Sequence, residues 1–242
     1  MENAAYVGLS RQVTLRNEMN IIANNLANVN TPGYRGEKMV FNEYLERTGP
    51  GDRLSFVEDV GLARDLREGP ISTTGNPMDV AINGLGFFAV DTPQGARYTR
   101  SGRFELNPQN QLVTADGHTV QGVGGGAITI PPEGGEISIA GDGTVSNDNG
   151  VLGRIRVVGF DDERQMKRGA GGLYSTDQQP VDRPNASVVQ GALEGSNVEA
   201  IMEISRMMEV LRQHQSVARF LQDDHDRQQR VIRTLGQEGG GG

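Results

Sequence analysis

The chain has 242 residues, 36% of them hydrophobic, and a formal net charge of −8. That length allows a substantial core, but the lean apolar content favours an elongated molecule, and the negative balance excludes nucleic acid and an anionic membrane as main partners, since both require a positive surface. Cysteine is absent, which removes a disulfide framework, a thiolate metal site and a cysteine nucleophile.

At the start, Met1 to Ser10 carry neither a basic segment nor an apolar run long enough for a signal peptide or a membrane span. Direct membrane insertion is therefore not expected, and any export must use another route. From Ala5 to Val29, the residues Leu15, Met19, Ile22, Leu26 and Val29 recur at spacings of four and three, with Leu9 and Val13 on a flanking stripe. This is helical periodicity close to a heptad seam, the pattern of a helix that pairs with another helix.

The helix runs into Asn24, Asn25, Asn28 and Asn30, followed by Thr31, Pro32 and Gly33. Asparagine is a mediocre helix former but a good cap, because its side chain substitutes for backbone partners where a helix ends. Two readings fit the cluster. It is a helix stop before a Pro-Gly turn, or the same asparagines also form hydrogen bonds to neighbouring subunits.

Residues 36–74 fit neither a helical nor a strand pattern and are punctuated by Gly36, Gly49, Pro50 and Gly51, so they are expected to form an extended connection. From residue 75 to 195 the grammar changes to period two. Met78, Val80 and Ile82 alternate with polar or small residues, as do Phe104 and Leu106, Ile128 and Ile130, and Ile137 and Ile139. Asn83-Gly84, Asp116-Gly117, Asp142-Gly143 and Asn149-Gly150 are dipeptides that accept positive φ in tight turns, spaced as in a sandwich or barrel. The middle of the chain is expected to be all-β.

A second helix is predicted over Asn197–Leu235, within a C-terminal region of residues 196–236. Its seam is Ile201, Ile204, Met208, Leu211, Gln215 and Ala218, with Met207, Val210, Val217 and Leu221 on the adjacent row. The fold class expected is therefore mixed: terminal helices, residues 1–35 and 196–236, forming a coiled coil around a central β domain. The candidate assembly residues are Leu15, Met19, Ile22, Leu26, Ile201, Ile204, Met208, Leu211, Val217 and Leu221. Residues 237–242, ending in Gly239–Gly242, read as a flexible tail.

No chemistry-bearing motif accompanies these elements. His118, His214 and His225 have no metal-ligand spacing, and Asp223, Asp224 and Asp226 read as a solvated helix face. Gly122, Gly124, Gly125 and Gly126 lack the Lys-Ser or Lys-Thr of a phosphate loop, and neither G-x-S-x-G nor H-E-x-x-H occurs. No catalytic residue, cofactor site or metal site is expected. A secreted β-rich adhesin would fit the glycine-rich middle, but it would carry one stalk and not helices at both ends.

The stretch NNLANVNTPGYR resembles the N-terminal signature of the flagellar rod and hook protein family. GNPMDVAINGLGFFAV at 75–90 and YTRSGRFELNPQNQLVTADGHTVQG at 98–122 are similar to its β-domain hallmarks, and GALEGSNV at 191–198 is similar to the lead into its C-terminal helix. Within the family, the opening MENAAYVGLSRQ resembles the proximal-rod type. The C-terminal stretch EISRMMEVLRQHQSVARFLQ departs from the usual wording, with Leu211 and His214 among the differences. The resemblance implies a non-enzymatic subunit exported without a cleaved signal through the flagellar type III apparatus. It also implies assembly in the periplasm with other proximal and distal rod proteins, the terminal helices lining the tube. Partly apolar heptads suit a chain that becomes ordered as its partners bind.

Overall fold

The computed structural model describes residues 2–47, 53–183 and 186–238. The tail Gly239–Gly242 and the Gly49-Pro50-Gly51 punctuation lie outside the described residues. Two compact units form: Met1–Ala27, Glu37–Ala63 and Glu199–Gly242 make one, and Asn28–Gly36 with Arg64–Val198 makes the other.

The first, helical unit holds α1 (Glu2–Ala27), β1 (Glu37–Arg47), most of β2 (Arg53–Arg64) and α2 (Ala200–Glu238). The two strands form a two-stranded sheet. This corrects the reading of 36–74 as one extended connection. The pairing joins two segments through their backbone groups, a partnership that period-two hydropathy does not reveal.

α1 and α2 pack antiparallel. Asn25 meets Glu203, Glu18 meets Arg206, Arg11 meets Gln213 and Gly8 meets Leu221, so rising numbers on one helix face falling numbers on the other. A Cβ at Gly8 would come within 2.7 Å of Leu221 Cδ2, so the helices approach closely there. No helix is long and apolar enough to cross a membrane among the described residues.

The β unit holds β3 (Ile71–Thr73), β4 (Val80–Asn83), β5 (Phe87–Thr92), β6 (Gly95–Thr99), β7 (Phe104–Leu106), β8 (Leu112–Thr114) and β9 (Thr119–Val120). It continues with β10 (Ser138–Ile139), β11 (Thr144–Asn147), β12 (Gly150–Arg154), β13 (Val157–Gly159), β14 (Lys167–Arg168), β15 (Tyr174–Ser175), β16 (Val181–Asp182), β17 (Ser187–Gln190) and β18 (Ala192–Glu194). The main sheet runs β14-β15-β6-β5-β9-β8-β7, with β13 joining β5 to β16. Smaller sheets are β10-β11-β12, β17-β4 and β18-β3. The glycines of all four predicted turn dipeptides have positive φ: Gly84 at 100°, Gly117 at 82°, Gly143 at 83° and Gly150 at 128°. Ile128 and Ile130 are buried, but the expected strand there is reduced to isolated bridges at Ala127 and Thr129.

Strand β5 sends Phe88 and Val90 into one apolar cluster and Phe87 and Ala89 into another. Phe88 stacks edge-on to Phe104 at 5.1 Å, and Phe87 edge-on to Tyr174 at 5.6 Å. A strand covered on both faces reads as a continuous apolar run, as Phe87-Phe88-Ala89-Val90 does.

Candidate assembly site

Two sets of residues carry the family-like signature, one in each unit. In the helical unit, the packed core is Leu15, Ile22 and Val210, with Met19, Met207 and Val217 half-buried against it. The α1 contact row is therefore Gly8, Arg11, Leu15, Glu18, Ile22 and Asn25, still a three-four repeat, but shifted by one from the expected Met19 and Leu26. Met19 and Leu26 flank it half-buried.

On α2 the correction is larger. The predicted seam is solvent-facing: Ile201 is 80% exposed, Ile204 45%, Met208 52% and Leu211 44%. The row facing α1 is the adjacent one, Glu203, Arg206, Val210, Gln213, Val217 and Leu221. Its polar members pair across the two helices. Arg206 reaches Glu18 at 2.8 Å and Gln213 accepts from Arg11 at 3.4 Å, partners that a count of apolar residues ignores. Asp224, expected on a solvated face, is buried beside Arg227 and accepts from Gln228 at 2.9 Å.

The asparagines differ in where their side chains go. Asn25 is buried, and its side chain binds both backbone groups of Glu37: Nδ2 donates to the carbonyl at 2.8 Å and Oδ1 accepts from the amide at 3.0 Å. It thereby imitates a strand partner for the first residue of β1. Asn28 acts as a turn former, accepting at Oδ1 from the Thr31 hydroxyl at 3.2 Å. Asn24 and Asn30 lie on the surface.

In the β unit, the continuation of that signature docks into a joint of buried charge. Gly33, with φ 67°, lies so close to Arg100 that a Cβ would come within 2.5 Å of its carbonyl carbon. Arg100 has a fully buried side chain, whose Nη1 donates to the carbonyls of Gly84 at 2.8 Å and Gly86 at 2.9 Å. Its Nε lies 3.0 Å from Glu194 Oε2 and its Nη2 3.4 Å from Glu68. Arg35, equally buried, pairs with Glu163 at 3.0 Å. Both guanidiniums lie over the Phe87 ring, and Arg168 lies over Tyr34.

Burial pushes the Glu194 carboxyl above its ordinary range, against the pull of Arg100 and the Gly69 N–H. Burial likewise pulls the Arg100 guanidinium below its ordinary value. Desolvation leads in both, so the pair adds little net stability; losing one partner would strand a buried charge at a cost of about 3–5 kcal/mol. Asn197 completes the joint. Its Oδ1 accepts from the Gly36 amide at 2.8 Å, and its Nδ2 donates to the carbonyls of Asp65 at 3.1 Å and Arg67 at 2.8 Å.

Sequence reasoning singled out the asparagines and missed Arg35, Arg100, Glu163 and Glu194. A signal was available, since Glu194 follows Ala192-Leu193 in a strand buried at all three positions. A charge in such a strand requires a buried counter-charge.

Three family profiles cover these parts: the flagella basal body rod protein at residues 6–35, the flagellar hook protein FlgE/F/G D1 domain at 81–147, and the flagellar basal body rod FlgEFG protein C-terminal at 189–234. The flagellar basal-body rod protein FlgF of Caulobacter vibrioides is 41% identical, over 98% of this chain and 99% of its own. FlgF of Mesorhizobium japonicum is 33% identical over the same shares, and FlgG of Bacillus subtilis is 30% identical over 91% of this chain and 94% of its own. With the signature turn, the β unit and the terminal helices all matched in order, the chain belongs to the flagellar basal-body rod protein family.

Proposed function

We propose that this chain is a structural subunit of the flagellar basal-body rod, of the FlgF type, and not an enzyme. The observation that carries the reading is the 41% identity to a FlgF protein along nearly the whole of both chains. It occupies the proximal rod, reaches the periplasm through the flagellar type III apparatus without a cleaved signal, and assembles there with other rod proteins.

Assembly uses the apolar rows that α1 and α2 leave uncovered. Ile201, Ile204, Met208 and Leu211 on α2, with Leu9 and Val13 on α1, are exposed in the single chain. They pack against helices of neighbouring subunits in coiled-coil fashion, flanked by Met19, Leu26, Val217 and Leu221, while Asn24 and Asn30 supply hydrogen bonds at the same surface. Contacts between different faces of identical or related subunits do not close on themselves, so they build a helical tube.

Counting this chain against the other axial proteins in purified basal bodies tests the assignment. A few copies per basal body are expected; its absence would end the rod reading, and an abundance matching the distal rod would move it there. Ile204→Asp and Leu26→Asp are each expected to abolish incorporation while the β unit stays folded, because a carboxylate buried without a partner costs several kcal/mol, about 2–7 even for uncharged polar groups.

A further inference from the structure

We propose that Glu194 and Asn197 close a lock: the turn at 28–36 and the segment at 64–69 take their places on the β unit only once β18 has paired with β3, in one step that orders the first and last parts of the unit together.

One residue of β18 grips three others. The Glu194 carbonyl accepts from the Gly33 amide at 2.8 Å, its Oε1 accepts from the Gly69 amide at 3.2 Å, and its Oε2 faces Arg100 Nε at 3.0 Å. The next residues continue the grip. The Gly195 amide donates to the Pro70 carbonyl at 2.8 Å, the Asn197 amide to the Tyr34 carbonyl at 3.2 Å, and the Asn197 side chain holds Gly36, Asp65 and Arg67. Gly69 and Gly195 touch so closely that a Cβ on Gly69 would sit 2.0 Å from the Gly195 carbonyl oxygen.

Partial assembly is disfavoured for two reasons. The joined segments are 125 to 163 residues apart, so loop closure is an entropic cost borne once, after which the remaining contacts form nearly free of it. An unpaired β18 also takes from the fully buried Arg100 its counter-charge at 3.0 Å, Glu194. The lock therefore opens and closes as a unit, and the signature turn stays unformed until residues 190–197 are available to it.

Native-state hydrogen exchange on the intact protein, under increasing sub-denaturing urea, tests this at the amides of Gly33, Gly36, Gly69, Gly195 and Asn197. All five are expected to share one opening isotherm, faster-exchanging than the Leu112 and Gln121 amides of the main sheet. Asn197→Ala, which removes three side-chain hydrogen bonds without stranding a charge, is expected to accelerate all five together by about tenfold or more. Separate isotherms for the five, or acceleration at Gly36 with Gly33 and Gly69 unchanged, would overturn the lock. A single isotherm shared with Leu112 and Gln121 would also overturn it, whether or not the variant folds.

Discussion

The helical unit and the β unit stabilise themselves in different ways. In the β unit, fourteen buried apolar residues form the main cluster and seven more form a second, whereas among the described residues the helical pair has three, Leu15, Ile22 and Val210. At about 1.5–3 kcal/mol per buried side chain, three residues supply far less than twenty-one. The β unit contains its own stability; the helices leave much of theirs on exposed rows.

The contrast can be broken most severely at the centre of the β unit. Phe88→Ala removes a fully buried ring from the main cluster and is expected to cost about 3–5 kcal/mol, read as a large drop in the denaturant midpoint of the β-unit transition. Ile22→Ala, the corresponding change in the helical core, is expected to cost about 2–3 kcal/mol. Its loss should appear in the far-ultraviolet helical signal while exchange protection in β5 and β9 stays at the wild-type level. Equal loss of both signals would show that the two units unfold as one.

A smaller effect sharpens the role of buried charge. The Glu194 carboxyl titrates above its ordinary value of 4.5 in the folded protein because of burial. The folded state therefore holds this proton more tightly than the unfolded state, and the stability it contributes is complete below that ordinary value. It is lost as pH rises through the folded value. Denaturation midpoints measured from pH about 4.5 upward should carry a declining component that Glu194→Gln abolishes. Smallest of all, Met208→Ser on the exposed row of α2 is expected to change the stability of the isolated chain by no more than about 0.5 kcal/mol, measured by thermal unfolding. A loss several times larger would mean that the row is already covered within the chain.

The alternating β pattern, the four positive-φ turns and the existence of two long helices were legible in the residues, because periodicity and turn chemistry are local. The pairing of 37–47 with 53–64 was not, since strands pair through backbone groups that local side-chain pattern does not specify. The α2 seam was misread by one row for a related reason. Hydropathy ranked Ile201, Ile204, Met208 and Leu211 first, but Glu203, Arg206 and Gln213 meet complementary groups on α1. Asn25 was recognised as important, yet its partner, the Glu37 backbone twelve residues on, depends on how the chain turns back.

The two helices, the alternating middle, the tight turns and the family signature follow from the residues alone, since each is written in neighbouring positions. The tertiary fold decided that 37–47 and 53–64 pair as strands, and which helix row is covered and which stays exposed in the single chain. It also decided that Arg35, Arg100, Glu163 and Glu194 converge: buried charges choose their partners through space, and Arg35 and Glu163, 128 residues apart, leave no mark of that choice in local sequence.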